Sequence, residues 1–278
     1  QQIRDNPPDC FGVQASADCQ NPKLEGAIIP SPGFGNADSP GHIDCFVQLN
    51  ESAVKSCHFG STAADAPRVA LIGDSHAYQY IETLIWLAEK NGWSLSTYLK
   101  GACPWTVAPV SGPSPAFTAS CVDWRANLAK ELASAEPFQV IFTAALAHTP
   151  YTVSDADHDT VLRDGFVDAW KQAGSAAIVT IVDNPDFAED PNKCLRTAAA
   201  SDCTERRSDV LDAKDPLALA GAEAGETVLD FTDKYCDATE CFSVIGGANV
   251  YRDQDHLTRT FVQTMAPAIG AAISAKLH

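Results

Sequence analysis

The sequence predicts an α/β fold, a three-layer α/β/α sandwich built on a mainly parallel five-stranded sheet. Two observations lead to this prediction. From residue 68 onwards, short apolar runs alternate with longer amphipathic segments, and strands that alternate with helices form a parallel sheet with helices on both faces. The runs are also almost continuously apolar, as expected for strands that are buried on both faces.

Five apolar runs are predicted as strands and four amphipathic segments as helices. The strands cover residues 68–73, 93–101, 138–147, 176–185 and 226–236. The helices cover residues 77–92, 122–135, 161–174 and 256–277. Gly92 and Gly174 stand where C-terminal helix caps are expected. In such a sheet the active site lies beyond the carboxyl ends of the strands, where Ser75, Gly101 and the residues after Ala147 are placed.

Residues 1–66 differ in composition from the rest of the chain. The stretches NPPDC and IPSPGFGNADSPGH are rich in Pro, Gly, Asn and Asp, the residues that favour turns. We therefore expect residues 1–66 to form an irregular extension that is pinned by disulfides and packs on a main domain over residues 67–278.

The ten cysteines indicate an oxidising compartment. Their number is even and none stands in a CxxC pair, which argues for disulfides and against a zinc ribbon or a thioredoxin-type site. Connectivity does not follow from sequence alone, but the cysteines fall into five local pairs. The nearest-neighbour scheme joins Cys10 to Cys19, Cys45 to Cys57, Cys103 to Cys121, Cys194 to Cys203 and Cys236 to Cys241. We therefore expect an extracytoplasmic protein.

The charge of the chain excludes several classes of partner. The formal net charge is −17 at pH 7, and a surface this acidic repels phosphate backbones, so nucleic-acid binding is not expected. Docking on anionic lipid through a basic patch is disfavoured for the same reason. The sequence contains no apolar run near the 18 residues that a membrane-spanning helix requires.

Ser75 is a candidate nucleophile because it follows the first predicted strand and precedes the first predicted helix. Serine is also a favoured helix N-cap, so this alternative has to be weighed. A serine needs a base to become a nucleophile, and His256 stands just before the last predicted helix. Asp253, three residues upstream of His256, can hold Nδ1 of the imidazole and leave Nε2 to act on the serine. Asp255 is a rival for this role, with capping of the last helix as its alternative.

The chain resembles the SGNH (GDSL-like) hydrolase superfamily in these same motifs, GDSH after the first strand and DxxH before the last helix. It is most similar to the SGNH domain fused to acyltransferase-3 membrane proteins, which O-acetylate cell-surface glycans and lipids. The stretches RDNPPDCFG, VALIGDSHAYQY, LKGACPW and YRDQDHLT carry this resemblance. It implies a flavodoxin-like sheet and a catalytic role for residues 67–278.

The resemblance also implies roles for individual residues. Ser75 is then the nucleophile, His256 the base and Asp253 the orienting acid. The backbone N–H of Ser75 and Gly101 are then the expected oxyanion donors. The superfamily usually has Gly-x-Asn after the third strand, but this chain has TAALAHTP. Two alternatives follow: His148 or a backbone amide substitutes for the missing asparagine, or the oxyanion hole is weaker.

Four side chains are expected to line the substrate pocket: Asp74, His76, Trp105 and His148. Asp74 and His76 flank the nucleophile and are expected to hold its turn by hydrogen bonds rather than to take part in the chemistry.

Neither a metal nor a cofactor is predicted. Asp155, Asp157 and Asp159 have the spacing of a calcium-binding loop, but Thr160 and Phe166 replace the glycine and glutamate that such a loop needs. We therefore expect this stretch to be a solvated acidic loop that leads into a helix.

The resemblance implies an O-acyltransferase that moves an acyl group, acetyl in the first instance, to a cell-envelope glycan or glycolipid, with a mycolate-type lipid among the candidates. The acyl donor would act through a membrane acyltransferase domain absent from this chain. The isolated domain is expected to be a monomer, and membrane-tethered in the full-length protein. Two alternatives remain: a stand-alone secreted carbohydrate acetylesterase, and a catalytically silent glycan-binding module that kept the fold.

Overall fold

The computed structural model describes residues 6–151, 158–212 and 214–277. The chain divides into two compact units. The sheet unit comprises residues 42–183, 214–229 and 270–278, and the loop unit comprises residues 1–41, 184–213 and 230–269. The predicted boundary between residues 66 and 67 stays a prediction.

The elements are numbered in chain order. The strands are β1 (Phe46–Val47), β2 (Ser56–Gly60), β3 (Arg68–Gly73), β4 (Ser94–Lys100), β5 (Val140–Ala144), β6 (Ala177–Ile181), β7 (Thr204–Arg206), β8 (Thr227–Leu229), β9 (Glu240–Phe242), β10 (Val244–Ile245) and β11 (Ala248–Asn249). The helices are α1 (Ser75–Tyr78), α2 (Ile81–Asn91), α3 (Pro115–Ser134), α4 (His158–Trp170), α5 (Pro191–Leu195), α6 (Arg207–Val210), α7 (Pro216–Ala224), α8 (Thr232–Tyr235), α9 (Arg259–Thr264) and α10 (Ala266–Ser274).

The sheet unit is built on a seven-stranded sheet with the order β1-β4-β3-β5-β6-β8, in which β2 also pairs with β4. Every pairing is parallel except that of β2 with β4. The prediction of a mainly parallel sheet with flanking helices is confirmed, and the five predicted strands correspond to β3, β4, β5, β6 and β8. The sheet gains β1 and β2 from the segment that was expected to be irregular.

The sheet grows from β3 first on one side and then on the other. The chain leaves β3 to form β4 on one side and later forms β5 on the other side. Ligands of doubly wound sheets bind at such a switch point, beyond the carboxyl ends of the two strands. The ends come very close, because a Cβ built on Gly73 would lie 2.3 Å from the carbonyl oxygen of Ala144. Only glycine fits at the end of β3.

The core of the sheet unit lies where α3 packs on the sheet. Phe117, Trp124 and Leu128 of this helix are buried in the same hydrophobic cluster as apolar residues of β3 and β5. The helix begins at Pro115, seven residues before its predicted start. Ser114 caps it, because its hydroxyl accepts a hydrogen bond from the amide of Phe117 at 3.2 Å, and proline is favoured in a first turn.

The loop unit consists of short elements. It contains two antiparallel pairs, β7 with β9 and β10 with β11. The last predicted helix is divided into α9 and α10. Thr258 caps α9, since its hydroxyl accepts from the amide of Phe261 at 3.1 Å. Pro267, which has no N–H to continue a helix, stands at the start of α10, so the single predicted helix breaks before it.

The ten cysteines form five disulfides, so the fold is disulfide-rich as predicted. The bonds join the neighbours along the chain: Cys10–Cys19, Cys45–Cys57, Cys103–Cys121, Cys194–Cys203 and Cys236–Cys241.

Within the described ranges, no helix is both long enough and apolar enough to span a bilayer. The first part of the predicted acidic loop, including Asp155 and Asp157, lies outside the described residues.

Candidate active site

Ser75 is the first residue of α1 and lies at the carboxyl end of β3, as the sequence predicted. It is partly exposed. The helix cap is Asp74 rather than Ser75, because the Asp74 carboxylate accepts a hydrogen bond from the amide of His76 at 2.9 Å. The capping role that competed with the nucleophile role of Ser75 is therefore filled by its neighbour.

The turn between β3 and α1, which carries Ser75, is called the serine turn. The second oxygen of the Asp74 carboxylate connects this turn to the loop after β5. It accepts a hydrogen bond from the amide of Leu146 at 3.1 Å. Asp74 is fully buried, and this burial raises the pKa of its carboxyl group, while the charge of His76 and the two amide donors act in the opposite direction. Asp74 thus holds the turn, which is the role that the sequence suggested.

His76 is paired with a carboxylate that the sequence analysis did not identify. Its Nδ1 lies 2.6 Å from Oδ1 of Asp183, and both side chains are buried. The other oxygen of Asp183 accepts from the amide of Ala147 at 2.8 Å. Asp183 follows β6 by two residues. Its position at the carboxyl end of a predicted strand is the sequence signal that could have identified it as a residue of the site.

A third buried carboxylate extends this network. The amide of Asp183 donates to Oδ2 of Asp215 at 3.0 Å, and the other oxygen of Asp215 caps α7 by accepting from the amide of Ala218 at 2.8 Å. Burial raises the pKa of Asp215 to about 7. Three carboxyl groups are therefore buried around His76 and its loop contacts.

The loop after β5 stands where the superfamily usually has an asparagine. Its amides at Leu146 and Ala147 donate to Asp74 and Asp183. These two amides therefore hold the loop in place and do not donate to an oxyanion in this arrangement. His148 is exposed, and its role as a substitute donor stays a prediction.

Gly101 follows the end of β4. Its amide donates to the carbonyl of Val47 at 2.9 Å, extending the pairing of β1 with β4. Donation by Gly101 to an oxyanion has to compete with this bond. Trp105 lies four residues further on and is almost completely buried.

His256 and its acids belong to the loop unit. Nδ1 of His256 lies 3.0 and 3.2 Å from the two carboxylate oxygens of Asp253. The amide of His256 also donates to Asp253 at 2.8 Å. The three-residue spacing therefore gives the contact that the sequence predicted, in which the carboxylate holds one ring nitrogen of the imidazole.

Asp255 contacts the same nitrogen. Its Oδ1 lies 2.9 Å from Nδ1 of His256, as close as that of Asp253. Helix capping does not explain Asp255, because Thr258 caps α9. Both carboxylates therefore hold Nδ1 of His256.

Three asparagine side chains support the loop that carries these residues. Each donates its amide to a backbone carbonyl: Asn192 to Tyr251 at 2.9 Å, Asn36 to Arg252, and Asn184 to Asp255 at 2.6 Å. Sequence reasoning missed all three, because they are distant in the chain from the loop that they hold. They fix the backbone on which the imidazole and its acids stand.

Each unit thus presents one half of the predicted chemistry. The sheet unit presents a partly exposed hydroxyl on a turn whose backbone is fixed by buried carboxylates. The loop unit presents an imidazole whose Nδ1 is held by carboxylate. These are the groups that nucleophilic catalysis by serine requires.

The chain belongs to the family described as "SGNH domain (fused to AT3 domains)", whose family model matches residues 44–271. Among solved structures it is similar to the periplasmic domain of the lipopolysaccharide acetyltransferase of Salmonella ser. Paratyphi A. That likeness has a TM-score of 0.58 at 16% identity and covers 76% of this chain and 85% of the other. At this identity it shows a shared fold. A comparison with curated proteins found no match.

Proposed function

We propose that this chain is the extracytoplasmic SGNH domain of an O-acyltransferase that modifies a cell-envelope glycan or glycolipid. The observation that carries the proposal is the contact of Nδ1 of His256 with Asp253, in a family whose SGNH domains are fused to AT3 domains. A carboxylate in this position fixes the tautomer that lets Nε2 accept a proton. The likeness to the periplasmic domain of a lipopolysaccharide acetyltransferase supports the same activity class.

The proposed reaction has two halves. The Ser75 hydroxyl attacks the carbonyl carbon of the acyl donor while Nε2 of His256 takes its proton. The tetrahedral intermediate collapses, the leaving group receives that proton, and the acyl group remains on Ser75. A sugar hydroxyl then attacks the acyl-serine with His256 again as base, which forms the new ester and restores Ser75. Acetyl is the proposed acyl group.

Oxyanion stabilisation is proposed to come from the backbone N–H of Ser75. The amide of Gly101 is the proposed second donor, once it is released from Val47. Loss of one oxyanion donor costs roughly 10²- to 10³-fold in rate. With the Leu146 and Ala147 amides held by buried carboxylates, we expect slow turnover with simple esters.

Location and partners follow from the same considerations. Five disulfides support an oxidising compartment, and the Salmonella domain is periplasmic. We propose that a fused membrane acyltransferase domain supplies the acyl group and tethers the domain. The isolated domain is proposed to be a monomer, which light scattering would measure.

Labelling with a fluorophosphonate, followed by mapping of the modified peptide, tests the nucleophile. We expect label on Ser75, loss of label in Ser75→Ala, and slow labelling in His256→Ala. Ser134→Ala is the control, since Ser134 is an exposed serine at the end of α3. Full labelling of a folded Ser75→Ala variant would contradict the proposal.

A burst assay with a chromogenic acetate ester separates transfer from hydrolysis. An O-acyltransferase is expected to pass its acyl group to an added glycan, which then carries the ester. Fast hydrolysis that no glycan diverts would favour the stand-alone carbohydrate esterase. Glycan binding that survives Ser75→Ala, without any acyl chemistry in the wild type, would favour the silent binding module.

A further inference from the structure

A cleft of about 380 Å³ lies in the sheet unit, apart from the serine turn. Its walls come from the loop after Trp105, from the outer face of α3 and from the end of α4. The lining includes Trp105, Val107, Pro109, Val122, Arg125 and Gln172.

Arg125 gives this cleft a positive charge. Its Nη1 donates to the carbonyls of Thr106 and Ala108, the latter at 2.8 Å. Its Nε and Nη2 have no acceptor within the described part of the chain. Burial lowers the pKa of the guanidinium to about 10, so it is still charged at neutral pH. Arg125 therefore offers N–H donors that a bound anion would satisfy.

The lack of a carboxylate partner is unusual in this chain, which has 36 acidic and 19 basic residues. Six of the eight arginines in the described ranges pair with a carboxylate, and the exposed Arg196 is the other exception. The six are Arg68, Arg163, Arg206, Arg207, Arg252 and Arg259. Arg125 has no such partner there, and the cleft has no aspartate or glutamate in its described lining. A half-buried cation without a counter-ion is costly, and an anion would relieve that cost.

The cleft is also rigid. The disulfide between Cys103 and Cys121 ties the start of its loop to α3. On the other side the loop presses on α4, where a Cβ built on Gly165 would lie 2.7 Å from the amide nitrogen of Ala108. The amide of Val107 donates to the carbonyl of Gly165 at 3.0 Å. Arg125 is thus held before a ligand arrives, which lowers the entropic cost of binding.

The walls of the cleft favour a ligand with an apolar face. The side chains of Val107 and Val122 are 51% and 55% exposed, and Pro109 lies beside them. The cleft therefore combines an apolar surface with the guanidinium of Arg125.

We propose that this cleft binds a small organic anion, whose carboxylate or phosphate pairs with Arg125 while the rest of the molecule packs on Val107 and Val122. A planar guanidinium matches either anion with two parallel hydrogen bonds. The site does not use Ser75, so it stands or falls independently of the proposed reaction.

Calorimetric titration of the whole chain tests the site with glucuronate, glucose 6-phosphate and neutral glucose. We expect at least one anion to bind and glucose not to, and the tighter anion identifies the preferred group. Added salt should weaken binding, because part of the attraction is electrostatic. Equal binding of glucose, or no binding of either anion at about 10 mM, would overturn the proposal.

Variants then locate the binding. Val122→Asp places a carboxylate in the cleft without changing the bonds of Arg125, and we expect at least a tenfold loss of anion affinity. Val122→Asn, of equal size, should keep it. Arg125→Lys keeps the charge but loses the paired donors, so weaker binding is expected. Arg196→Met removes an exposed charge elsewhere and should have no effect. Wild-type affinity in a folded Val122→Asp variant would overturn the assignment.

Discussion

Nδ1 of His76 and Oδ1 of Asp183 lie 2.6 Å apart in the buried end of the sheet unit. The same carboxylate holds the loop after β5 through the amide of Ala147. One buried acid thus connects the residue after the candidate nucleophile to the loop in which the family pattern places an oxyanion donor.

Asp183→Asn tests this connection. The substitution keeps the shape but replaces the carboxylate that contacts His76 with a neutral amide, and loss of a buried hydrogen bond to a charged group costs about 2 kcal/mol. We expect the free energy of unfolding in urea to fall by about that amount, together with slower fluorophosphonate labelling of Ser75. Asp164→Asn is the control, since Asp164 pairs with Arg163 at the surface. Unchanged stability and labelling would show that the pair is dispensable.

A comparison of Asp253→Asn with Asp255→Asn shows which of the two acids beside His256 orients its imidazole. The orienting acid fixes the imidazole tautomer, and its amide variant is expected to lose on the order of 10³-fold in kcat/KM. Asp253 accepts two bonds from His256, one from the ring and one from the backbone, so we expect the larger loss at Asp253. A larger loss in Asp255→Asn would reverse the assignment.

Stability should depend on pH through Asp215. Its pKa is raised from 3.8 to about 7 by burial, so between these values the folded state holds a proton that the unfolded state has lost. Stability contributed by this group therefore falls as pH rises from about 4 to about 7. Urea unfolding across this range should give a flatter pH dependence for Asp215→Asn than for the wild type. Parallel curves would contradict the prediction.

Lys100 is fully buried, and its ammonium group donates to the carbonyls of Gln48, Leu49 and Glu51 at 2.9, 2.8 and 2.7 Å. Lys100→Met leaves the carbonyls of Gln48 and Glu51 without this donor, while that of Leu49 keeps the Ser120 hydroxyl at 2.7 Å. The loss costs about 2 kcal/mol or more. We expect a lower melting temperature than for Lys130→Met, which changes an exposed lysine of α3. Equal melting temperatures would mean that solvent replaces the ammonium without cost.

Three central strands could be predicted because burial on both faces gives β3, β5 and β6 almost continuously apolar sequences. The edge strand β2 could not, since SCHFG alternates between exposed and half-buried residues and becomes a strand only by pairing with β4. The division of the last helix was also missed. Proline can either interrupt a helix or stand in its first turn, and the sequence alone did not show that a second helix begins beside Pro267.

The candidate site was predictable where its residues are near one another in sequence. Asp253 and His256 are three residues apart, and Ser75 follows an apolar run directly. The network around His76 was not predictable in this way, because Asp183 lies 107 residues from His76 along the chain and meets it only after the sheet has formed. The asparagines that hold the carbonyls of residues 251–255 were missed for the same reason.

The five disulfides span only 5 to 18 residues of chain. A polypeptide that enters an oxidising compartment amino end first would therefore have both members of each pair exposed to oxidant before the next pair emerges. Bonds can then close in order during export, without a wrong partner that must later be exchanged. We expect secretion to need an oxidant but little help from a disulfide isomerase.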